Sequence, residues 1–178
     1  MLGGGTFWRW VVLGIAAVCL SACASQRTGF DYAGVMQKVG PPRPGQTRIV
    51  VLEEKASGLS ATVCDVKVDG GPMGRLKPGT YVYADRPAGR HQLWASENLF
   101  PGESKHDVTT ESGRTYFYLA RTSDRHNAVM GMTMAGGLAG MLVGSAVTTG
   151  SDSPGPIDFV QLDEAAARTT IAELQLAE

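Results

Sequence analysis

Apolar and polar positions follow three regimes along the chain. Residues 10–20 form an unbroken apolar run behind Arg9. From residue 47 the period becomes two, and residues 47–54 and 61–68 carry the β-branched, alternating pattern of strands. Asp69-Gly70-Gly71 then marks a tight hairpin ahead of residues 72–76, because Asp and Gly accept the left-handed backbone that such turns require. Further strands are expected over 80–85, 90–96, 104–110 and 114–120, with Lys77-Pro78-Gly79, Arg86-Pro87-Ala88-Gly89 and Glu111-Ser112-Gly113 as punctuation. Short strands at this density predict a mainly β domain over residues 47–178: a small antiparallel β-sandwich with a glycine-rich apolar insertion and a C-terminal α-helix.

The insertion is the third regime. Residues 128–150 are apolar and glycine-rich, and 128–147 hold neither charge nor proline, a length sufficient for a helix to cross a bilayer. Gly136, Gly140 and Gly144 recur every four residues, a groove of small residues into which another backbone packs, and are the helix-packing or oligomerisation candidates. Three readings stand here: a single-pass span, a membrane-inserted or self-associating hairpin, and an excursion, partly helical or irregular, lying over the sandwich or on the membrane surface. A strand expected over 157–162 has to rejoin the sheet, and Arg121 and Arg125 lie on the wrong side for the positive-inside rule, so the span is disfavoured. Residues 163–176 are good helix formers behind Asp163 as N-cap, and a helix is expected there.

The first regime has the size and flanks of a signal peptide, and it ends in Leu20-Ser21-Ala22-Cys23, which resembles a bacterial lipobox. That resemblance implies cleavage after residue 22 and a diacylglyceryl group on the Cys23 sulfur, so that one residue carries several acyl chains; several acyl chains hold a protein on a bilayer far more firmly than one. Ala24, by likeness to Gram-negative lipoproteins, implies the outer membrane, with the protein facing the periplasm. Residues 23–46 then act as a lipidated tether containing Pro41, Pro42 and Pro44, although Phe30, Ala33 and Met36 fit a helix turn docked on the domain equally well. With Cys19 in the signal and Cys23 acylated, Cys64 remains alone and no internal disulfide forms. Its place on the Val66 and Val68 face of a strand points to a buried thiol; the alternative is a nucleophile, which needs an exposed, electropositive setting.

Sixteen Lys and Arg against 17 Asp and Glu leave a net charge of −1, with no basic stripe to hold nucleic acid. His91, His106 and His126 show no metal-ligand spacing, and no nucleophile elbow, phosphate loop or carboxylate pair is visible, so neither a metal, a cofactor nor an enzymatic activity is expected. Tyr81, Tyr83, Trp94, Tyr116 and Tyr118 either line a carbohydrate- or peptide-binding face or pack within the sheets.

Residues 66–83, with Val68-Asp69-Gly70, Gly79-Thr80-Tyr81-Val82-Tyr83 and then Pro87-Ala88-Gly89-Arg90-His91, resemble the DUF2846 family of small bacterial lipoproteins. The likeness covers about residues 40–120, implies a PEGA-like β-sandwich in the cell envelope, and brings no catalytic residues. The expected protein is a non-enzymatic envelope lipoprotein, a structural or adaptor module whose partners are the membrane through Cys23 and an envelope protein or peptidoglycan. The alternative is a membrane-associated homo-oligomer driven by the glycine zipper, with residues 128–147 inserted in the membrane.

Overall fold

Strand β1 (Gln46–Leu52) is buried from Thr47 onward, and its continuous Ile49-Val50-Val51-Leu52 run follows from having both faces covered. In the computed structural model, which describes residues 31–56, 58, 61–148, 150 and 154–177, it is the central strand of a five-stranded sheet. The other strands are β2 (Cys64–Val68), β3 (Gly71–Leu76), β4 (Thr80–Pro87), β5 (Gly89–Glu97), β6 (Glu103–Thr110), β7 (Thr115–Thr122), β8 (Ile157–Leu162) and β9 (Gln175–Leu176). One sheet runs β8-β7-β1-β4-β9 and the other β3-β2-β5-β6. In contrast to β1, β2 alternates buried and exposed residues, since only one of its faces meets the core.

Between the sheets lies a core of Ile49, Val51, Cys64, Val66, Leu93, Tyr118 and Phe159, among others. A second core covers the opposite face of the five-stranded sheet, where Val50, Leu52, Tyr81 and Phe117 meet Ala167 and Ile171. Helices α1 (Tyr32–Val39) and α3 (Glu164–Ile171) supply that third layer. Asp31 caps α1 by accepting from the Gly34 N–H at 2.6 Å, and Tyr32 meets the rings of Tyr81 and Phe117 edge-on at 5.5 and 5.9 Å. Residues 31–39 of the expected tether are therefore a helix docked on the domain.

The sandwich is as expected, with two differences in detail. The five-stranded sheet is mixed: β1 pairs parallel with β7, and β4 parallel with β9, which the chain reaches from β8 through α3. The C-terminal helix expected over 163–176 stops at Ile171. Beyond it the chain donates from Gln175 N to Gly79 O at 3.1 Å and from Ala177 N to Tyr81 O at 2.8 Å, so the β4 edge gains a partner that a longer helix would forgo.

The registers define one end of the five-stranded sheet. Leu52 lies opposite Tyr81 and Leu119, Thr122 opposite Ile157, and Thr80 opposite Gln175. Asp31, bridged to Gln175, brings the start of the described chain to that same Leu52 end. Helix α2 (Asp124–Val147), which follows β7, leaves from it too.

Candidate functional site

By length and composition α2 resembles a bilayer span: an 18-residue window has mean hydropathy 1.4 and is only 11% buried. Its shape differs. Gly137, at φ 61° and ψ −143°, breaks the helix into arms of residues 124–136 and 138–147. In a straight helix Val129 and Gly144 would stand about 22 Å apart. Here a Cβ built on Gly144 would lie 3.1 Å from Val129 Cα, and one on Gly140 would strike the Met132 carbonyl, so the arms fold back side by side. The segment, for which a partly helical or irregular excursion and a hairpin both stood as readings, is a helical hairpin. Thr133 and Ser145 return their hydroxyls to Val129 O and Met141 O at 2.7 and 2.8 Å, so each hydroxyl is satisfied within its own arm.

The root of the hairpin is held by polar contacts that converge from four segments. Ser123 caps the first arm, accepting from His126 N at 3.0 Å and donating to Gly155 O at 2.7 Å, while its own N–H reaches Pro156 O at 3.0 Å. Arg125 joins the arms by donating to Thr148 Oγ1 at 3.1 Å and also donates to the carbonyls of Pro101 and Pro154. Its guanidinium lies 5.4 Å from the Phe100 ring centre, and His126 stacks on that ring at 5.2 Å. Above this root the apolar side chains stand free: Met134 is 72% exposed, Leu138 80% and Leu142 73%.

Beneath the root lies a buried polar group of Glu53, Thr62, Cys64, Glu97 and His126. Burial above all pushes the Glu53 carboxyl up to about 7, with nearby Glu97 adding to the shift and the Thr62 hydroxyl, 3.1 Å from Oε1, opposing it. Glu53 Oε2 has no hydrogen-bond partner. His126 Nε2 comes within 2.9 Å of Glu97 Oε2 without hydrogen-bond alignment, so neither atom has a hydrogen-bond partner. Cys64 is fully buried, and burial with the two carboxylates raises its thiol to about 12, far from a nucleophile's range. Among the described residues no three His, Cys, Asp or Glu side chains gather as a metal site.

A groove of about 660 Å³ opens between α1, β7 and α3, lined by Arg48, Arg114, Tyr116 and Arg168. Its cations are already engaged. Arg48 grips Asp85 with two bonds of 2.6 and 2.7 Å, Arg114 meets Glu111 at 2.9 Å, and Arg168 meets Glu164 at 2.6 Å.

A family profile described as "Protein of unknown function (DUF2846)" matches residues 43–132. The chain belongs to the DUF2846 family. The DUF2846 match begins just before β1 and ends inside the first arm of the hairpin. It therefore includes the Glu53, Thr62, Cys64, Glu97 and His126 group and the root residues Ser123 and Arg125. The three spaced glycines lie beyond it. No curated protein matches the chain.

Within this DUF2846 fold the residues singled out by sequence separate. Cys23, the lipid-attachment candidate, lies outside the described residues. Gly140 and Gly144 form the contact between the two arms of one chain, whereas Gly136 faces open space. His91 bridges Asp69 and the Pro87 carbonyl at 2.6 and 2.8 Å, and His106 lies against Tyr118 and Phe159. The aromatics do not share a face: Tyr81 and Tyr83 belong to the helix-covered core, Tyr118 lies between the sheets, and Trp94 packs under Lys105 at 4.2 Å. Sequence reasoning missed the Glu53, Glu97 and His126 group, since its members come from separate elements with no local pattern to link them.

Proposed function

We propose that the chain is a non-enzymatic lipoprotein of the bacterial envelope, in which lipid on Cys23 holds a β-sandwich that serves as a structural or adaptor module in the periplasm. The observation that carries this reading is the position of Asp31 at the Leu52 end of the sandwich. Eight residue steps lead to it from Cys23, a reach of at most about 28 Å, so an acylated Cys23 would keep that end close to the bilayer. The outer face of the β3-β2-β5-β6 sheet, with Trp94 and Lys105, then remains open to an envelope partner.

Mass analysis of the N-terminal peptide from membranes tests the proposal. It expects a peptide beginning at Cys23 with a diacylglyceryl group on its sulfur; a free sulfur or another first residue overturns it. The glycine-zipper oligomer is less well supported, because Gly140 and Gly144 are occupied by the first arm of their own chain.

A further inference from the structure

We propose that α2 is a one-leaflet wedge: the hairpin enters the acyl region of the membrane leaflet nearest the sandwich and returns, without crossing. The proposal takes the identity of the membrane from the lipoprotein reading, but insertion itself rests on the hairpin.

Length excludes a crossing. From the Arg125 to Thr148 bond to the turn at Gly137 the first arm extends about 18 Å, little more than half of a hydrocarbon core of about 30 Å. Both arms return to the same root, so the two ends of α2 lie on one side.

Composition and placement identify the occupant. After Arg125 no charged residue occurs until Asp152, and the hydroxyls of Thr133 and Ser145 are satisfied within their own helix, as a lipid environment demands. Of the seven large apolar side chains exposed among the described residues, five are Met134, Leu138, Leu142, Val143 and Val147 of the hairpin. A sixth, Leu99, is 82% exposed in the β5–β6 turn, which abuts the root through Phe100 and Pro101. Only Val39 lies elsewhere. This apolar end is also the end at which Asp31 receives the chain from Cys23. An apolar surface gathered where the chain from the lipidation motif enters fits a leaflet better than a protein partner.

The test uses the full-length, processed protein reconstituted in vesicles of phosphatidylethanolamine and phosphatidylglycerol. An environment-sensitive fluorophore is placed at Leu138→Cys, at Leu142→Cys, and at Lys67→Cys as a control on the exposed face of β2. Cys64 is buried and does not compete for the label. The wedge requires blue-shifted emission at both tip positions, an iodide quenching constant about tenfold below that of the control, and strongest quenching by nitroxides within the proximal leaflet. Leu138→Glu combined with Met134→Glu, both at open positions, should retain the fold and lose the protection at Leu142→Cys.

A tip label in water on a protein whose Cys23 is acylated overturns the wedge and leaves the lipoprotein reading intact. A protected label on a protein with unmodified Cys23 overturns that reading and keeps the wedge. Protection that persists without vesicles, in a protein eluting as a multimer, assigns the surface to a second copy and overturns the wedge. Quenching that is strongest from the far leaflet indicates a span and does the same.

Discussion

Gly140 approaches Met132 so closely that no Cβ fits between the second arm of α2 and the carbonyl of the first. Alanine here must separate the arms, since the obstructing atom is backbone and has no rotamer to change. Gly140→Ala is therefore expected to raise amide exchange across residues 129–147 about tenfold or more, roughly 1.4 kcal/mol of opening free energy. Gly136→Ala, with nothing within 4 Å of its Cβ, should instead slow exchange, because alanine favours helix over glycine by about 1 kcal/mol. Equal effects at the two positions would contradict the hairpin.

Arg48 is 2% exposed and fixes α1 to the sheet as well as pairing with Asp85, since its Nη1 also donates to Gly40 O at 2.8 Å. Arg48→Met should lower unfolding free energy by about 3 kcal/mol in urea, because Asp85 is left partly buried without its cation. Adding Asp85→Leu should recover most of that loss. A double variant as weak as the single one would mean that the Gly40 contact, rather than the ion pair, carries the effect.

How much of this was legible beforehand varies by element. The strands were, because turn residues such as Asp69 and Gly70, both at positive φ, separate period-two runs, and the DUF2846 motifs fall on those turns. The break in α2 was not: Gly136 and Gly137 are adjacent and chemically identical, and only the docking of Gly140 and Gly144 on the first arm selects Gly137 as the turn. The parallel pairing of β1 with β7 was equally hidden, since period two is the same in both directions. The early end of α3 depends on the open edge of β4, which no local propensity reports. Cys64 was legible as a buried thiol from its alternation with Val66 and Val68, yet its acidic neighbours Glu53 and Glu97 were not.

The Cys64 environment sets its reactivity. With the thiol raised to about 12 from an ordinary 9.0, its thiolate fraction at pH 8 falls about a thousandfold below that of the unfolded chain. In a Cys19→Ser, Cys23→Ser background, which leaves one thiol, reaction with Ellman's reagent should be at least that much slower in buffer than in urea. A native rate within tenfold of the denatured one would expose Cys64 as an accessible nucleophile and reopen the enzymatic reading.

Glu53 makes stability depend on pH with a definite sign. Its folded pKa, about 7, lies above the unfolded value of 4.5, so the fold prefers the protonated carboxyl. The Glu53 contribution is most favourable below pH 4.5, declines as pH rises from 4.5 to 7, and is constant at its least favourable value above that window. The full swing is of order 3 kcal/mol, set by the desolvation of a carboxylate whose Oε2 has no partner. Glu53→Gln keeps an acceptor for the Thr62 hydroxyl and cannot ionise. It should match the parent near pH 4 and exceed it by about 3 kcal/mol at pH 8 in urea unfolding, a difference that grows only through the titration window. If the parent and variant curves run parallel from pH 4 to 8, the Glu53 carboxyl titrates alike in the folded and unfolded chain, and burial does not hold it protonated.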